Sequence, residues 1–135
     1  MTFGSVNYLA VVIAAVAAFV FGAVYYGLLG KPWMKAAKID PAEAKMSATV
    51  LATGFVCELV MAYLLAGLIG HLGAGEVSLQ TGIITAFFVW LGFMATTMIV
   101  NQRFQGFGWM LSLIDGVHWL LVALIMGIVI GWMGA

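Results

Sequence analysis

Apolar residues fall into four long runs, at residues 6–29, 47–72, 78–100 and 109–133. Each reaches the ~20 residues that a helix needs to cross a bilayer. The pattern predicts helices at about 6–29, 41–72, 78–101 and 109–133. The second begins ahead of its apolar run because Asp40-Pro41-Ala42-Glu43 reads as a helix start: Asp40 can cap, Pro41 fits the first turn, and Glu43 stands where a capping-box acid belongs. The short, glycine-rich stretch at 71–77 makes the second and third helices antiparallel neighbours.

Small residues form stripes on three of these helices: Ala14, Ala18 and Gly22 on the first, Ala62, Ala66 and Gly70 on the second, and Gly116, Ala123, Gly127 and Gly131 on the fourth. Such stripes let helices approach closely in lipid. There are more of them than one bundle of this size needs, so the expectation is a homodimer or higher homo-oligomer.

Composition agrees with a membrane chain. Of 135 residues, 65% are hydrophobic and 7% charged, against about 25% charged in soluble domains. A water-soluble core-and-shell fold is excluded. Formal net charge is zero, with no basic patch for nucleic acid. The lone Cys57 reads as an inert thiol in an apolar run. Nothing basic precedes the first run, which is longer than the ~7–15 apolar residues of a signal peptide, so it reads as a retained helix.

Lys31, Lys35, Lys38 and Lys45 lie between the first two runs, Arg103 lies before the fourth, and no lysine or arginine lies between the second and third. By the positive-inside rule both basic loops are cytoplasmic. The expected fold is an all-α integral membrane four-helix bundle, a single transmembrane domain over residues 1–135, with both termini extracytoplasmic. The bilayer is its first partner.

The candidate chemistry lies inside the spans. Ser112, Asp115 and His118 recur every three residues, and Asp115 and His118 stand roughly 60° apart on one helix face. Counted inward at ~1.5 Å per residue, Asp115 lies roughly 10 Å deep, His118 roughly 14 Å and Glu58 roughly 16 Å. Tyr25, Thr96 and Asn101 come near the rim of the same layer. Ionisable groups at this depth are costly and mark functional sites by default. Asp115 with His118 reads as a proton relay or ligand site, or else as a pair that locks helices together. Glu58 is either part of that site or a protonated, uncharged carboxyl. No His-x-x-x-His or cysteine cluster supports a metal, and no nucleophile motif, phosphate loop or haem attachment is present. No metal or cofactor is expected.

Two stretches, Phe21–Trp33 (FGAVYYGLLGKPW) and Asn101–Gly127 (NQRFQGFGWMLSLIDGVHWLLVALIMG), resemble the signature regions of the bacterial domain-of-unknown-function family numbered seventeen sixty-one. The family pattern has Trp-Tyr where this chain has Tyr25-Tyr26, and an aromatic at the place of Val117. The resemblance implies a small four-helix membrane protein of a bacterial inner membrane and implies no activity. From the residues, the first functional expectation is proton-linked transport or translocation of a small solute or cation, without enzymatic activity. The alternatives are a non-enzymatic membrane subunit or scaffold, and a small enzyme acting on lipid or quinone with Asp115 and His118 as acid and base.

Overall fold

The computed structural model describes residues 5–134. Four helices carry the chain: α1 (Tyr8–Ala36), α2 (Ala48–Leu72), α3 (Leu79–Phe104) and α4 (Trp109–Met133). All four are apolar enough to cross a membrane, and at ~1.5 Å per residue each is longer than a ~30 Å hydrocarbon core. The chain is an all-helical, multi-pass membrane protein.

Local side chains set the helix starts. Asn7, Ser47 and Ser78 each sit in extended backbone and accept the N–H of Ala10, Val50 and Thr81 respectively. Each bond satisfies a donor that the helix itself leaves unpaired. The expected start near Pro41 is instead a turn. Asp40 accepts the Ala42 N–H on its side chain at 3.0 Å and the Glu43 N–H on its carbonyl at 2.9 Å. An aspartate that can cap a helix can equally close a turn, and α2 begins only behind Ser47. At the other end of this loop, α1 runs through Pro32 to Ala36, beyond its expected end near residue 29.

α4 is the central helix and packs most extensively on α3 and α1, while α2 lies mainly against α1. Asn7 donates to the Gly134 carbonyl at 3.4 Å, so the two ends of the described chain meet at one end of the bundle. At the opposite end, Lys38 donates to the Gly106 carbonyl at 3.0 Å, joining the two basic loops.

The small-residue stripes make the seams. A β-carbon on Gly127 or Gly82 would run into the other's carbonyl oxygen, and one on Gly131 would run into that of Ser78. Ala14, Ala18 and Ala62 are fully buried. In lipid, association rests on such close packing because apolar burial gives little. Most stripe positions thus pack within a single chain, while Ala66 and Gly70 border a cavity. Residues 48–54 of α2 are exposed on every face.

α3 is not a uniform α-helix, because Trp90–Ala95 form a π-helical turn. Its inward positions run Gly82, Ala86, Trp90, Ala95, Met98 and Gln102, in steps of three or four except for the step of five across that turn. One extra residue rotates everything downstream by ~100°.

Candidate functional site

Asp115 is the hub of a polar layer near the lysine-bearing end. Tyr26 Oη donates to Asp115 Oδ1 at 2.7 Å and Trp33 Nε1 donates to the same oxygen at 3.0 Å. Gln102 Nε2 donates to Oδ2 at 3.2 Å. These donors come from α1 and α3, and all are neutral. Ser112 donates to Gln102 Oε1 at 2.6 Å and accepts from Arg103 Nη2 at 2.8 Å. Arg103 also donates to the Gly108 carbonyl at 2.7 Å, and its guanidinium stacks 4.1 Å from the centre of the Trp109 ring. Tyr25 Oη donates to the Ile114 carbonyl at 2.7 Å, and Trp90 Nε1 to the Gly116 carbonyl at 3.0 Å.

His118 lies one turn deeper and is buried. Four aromatic rings surround it: Phe21 stacked at 6.0 Å, Tyr25 at 5.5 Å, and Tyr26 and Trp119 each at 4.7 Å. Gly22 opens the space, since a β-carbon there would come within 3.1 Å of His118 Nε2. The Nδ1 atom is buried with no hydrogen-bond partner. Asp115 and His118 therefore share a layer without bonding to each other. The carboxylate is tied to other helices, and the imidazole is held among aromatic rings, stacked on Phe21 and edge-on to Trp119.

Glu58 is buried, with Oε2 unpartnered, and it stands in a different layer. The Tyr8–Tyr63 and Phe19–Phe55 ring contacts put it opposite about residue 15 of α1. The Tyr26–Asp115 bond and the Gly22–His118 approach put the cluster at residues 22–26. That separation is roughly 10–16 Å along α1 at ~1.5 Å per residue. Counting depth from each helix's own start puts them together only if the helices start at one level. By the same ring contacts α2 starts opposite about residues 26–29 of α1, while Trp109, six residues before Asp115, lies further toward the lysine-bearing end.

Thr96 and Asn101 lie outside the cluster. Both are exposed, and Thr96 returns its hydroxyl to the Gly92 carbonyl of its own helix at 2.9 Å. The π turn is the reason. A regular helical period would bring Asn101, eleven residues after Trp90, to the inward face, whereas the extra residue of the π turn brings Gln102 inward instead.

A protein-family model described as "Protein of unknown function (DUF1761)" matches residues 9–131. The chain belongs to this family. No curated protein and no solved structure matches it. The matched span holds the whole Asp115 layer, the ring cage of His118, and Glu58, so the site is built from the family's own domain.

Residues that only the structure reveals are Tyr26, Trp33, Gln102 and Arg103. Tyr26 and Trp33 have the composition of interface anchors, and their only other sequence signal is that both fall in the Phe21–Trp33 stretch of the family resemblance. Gln102 and Arg103 read as a polar helix end. Among the described residues no group of three His, Cys, Asp or Glu side chains could hold a metal ion.

Proposed function

We propose that this family member is a small, non-enzymatic membrane subunit or scaffold, in which the Asp115 layer fixes the register of α1, α3 and α4. One observation carries the reading: both carboxylate oxygens are occupied by neutral donors from two other helices. A hub spent on joining helices is suited to holding shape. The lysine-bearing end is read as cytoplasmic under the positive-inside rule, in a bacterial inner membrane. A second copy of the chain is the proposed partner, and with most of the small-residue seams already filled, the free start of α2 at residues 48–54 supports an assembly surface there.

A second reading, proton-linked movement of a small solute or cation, is favoured by the unpartnered Glu58 Oε2 and His118 Nδ1. Replacing Asp115 with Asn tests the first, and replacing Glu58 with Gln tests the second. The scaffold reading expects proton flux in dye-loaded vesicles to be unchanged while assembly, sized in mild detergent, is weakened. A proton-linked flux that disappears in the Glu58→Gln variant with assembly intact would reverse that preference.

A further inference from the structure

A cavity of about 340 Å³ opens at the end of the bundle where the described termini meet. Asn7, Ala66, Gly67, Gly70, His71 and Ile130 are among its walls. Two of these, Ala66 and Gly70, belong to a stripe of every fourth residue that runs from Glu58 through Ala62 and winds round α2 by about 40° per step. Ala66, at the cavity wall, is two turns, roughly 12 Å, from Glu58 by helical rise, and the fully buried Ala62 lies between them on the stripe. Glu58 is 5% exposed, and its Oε2 has no hydrogen-bond partner.

We infer that Glu58 is a proton-binding site served from the termini end of the bundle, through this cavity and along the small-residue stripe of α2. A carboxyl without a protein partner in a membrane interior needs a counter-charge or a proton. The stripe above it offers alanine and glycine, which supply no second side-chain oxygen for a metal cation. Asp115 has no part in this route, since it belongs to the other layer. The inference deepens the proton-linked reading by naming the acceptor and its side of access, and it rests on that reading only in treating Glu58 as titratable.

Infrared spectroscopy of the full-length chain in lipid nanodiscs tests it. The expected result is a protonated-carboxyl band that is lost in Glu58→Gln. It should titrate with a protonated-to-ionised ratio changing about tenfold per pH unit, as for a single site. In a Cys57→Ser background, Ala66→Cys capped with a bulky thiol reagent should slow the band's response to a pH jump tenfold or more, the effect of about 1.4 kcal/mol of added barrier. Capping Val100→Cys, on the exposed side of α3, should leave the rate unchanged. If Ala66→Cys does not fold, Gly70→Cys at the cavity wall makes the same test. A band that never titrates, or a response indifferent to the cap, overturns the inference. Titration with the expected cap effect but no vesicle flux leaves the site standing and removes only transport.

Discussion

Trp33 Nε1 lies 3.0 Å from Asp115 Oδ1, fastening the last turn of α1 to the central helix from a position one residue past Pro32. The same oxygen also takes Tyr26, two turns earlier on the same face of α1. At roughly 0.6 kcal/mol for an average hydrogen bond between membrane helices, the three bonds to Asp115 are worth about 2 kcal/mol together. Asp115→Ala should lose about that much stability in detergent unfolding. Asp115→Asn should lose about half, because its oxygen can keep Tyr26 and Trp33 while Gln102 must turn its amide and disturb Ser112. Equal losses in the two variants would mean that the carboxylate's charge, rather than its bonding pattern, holds the layer.

Gly127 and Gly92 offer a matched pair. A methyl group on Gly127 meets the Gly82 backbone, which cannot rotate away as a side chain would, whereas one on Gly92 meets nothing within 4 Å. Gly127→Ala should therefore cost about 1–3 kcal/mol through forced separation of α3 and α4. Gly92→Ala should be neutral or stabilising by up to about 1 kcal/mol, since alanine is the better helix former. Thermal unfolding in detergent reads both. A tolerated Gly127→Ala would show that the seam is looser than the packing described.

Much of this architecture was legible beforehand, and what was hidden has identifiable causes. Span number follows from hydropathy because lipid forces each apolar run to satisfy its own backbone. The glycines of α4 face α3, and Ser112, Asp115 and His118 face inward, because a regular helix preserves the sequence period. The period fails at the π turn of α3, which no residue type announces, so depth in the sequence points to Asn101 where the structure uses Gln102. Trp33 was hidden for another reason. An indole at a membrane boundary has a sufficient explanation in the interface itself, and only the tertiary structure shows that α1 continues past Pro32 to deliver it to Asp115.

His118 and Gly22 should be coupled in stability. Gly22→Ala places a methyl about 3.1 Å from His118 Nε2, so the imidazole must shift within its ring cage. With His118→Ala in the background, the methyl fills vacated space. In a double-mutant cycle the Gly22→Ala cost should fall by more than about 0.5 kcal/mol when His118 is absent, the range seen for residues in contact. An unchanged cost would mean that α1 and α4 adjust as whole helices instead of through this contact.

The π turn gives the strictest test of the Asp115 layer. Gln102 lies twelve residues after Trp90, and a π turn is what lets both face inward. Deleting exposed Gly92 shortens that interval to eleven residues, about three turns of ordinary α-helix at 3.6 residues per turn. The deletion should therefore be absorbed by conversion of the π turn to α, with Gln102 still bonded to Asp115 and stability close to that of the parent. Inserting an alanine after Gly92 adds a second step of about 100° and should turn Gln102 away. That loss includes its bonds to both Asp115 and Ser112, worth about 1 kcal/mol together at membrane values. As a point-substitution control, Gln102→Leu should reproduce the insertion's loss, and Asn101→Leu on the exposed face should stay within about 0.5 kcal/mol of the parent. Unfolding midpoints of the four variants decide the matter, and a deletion as damaging as the insertion would show that the π turn has a role beyond setting the face.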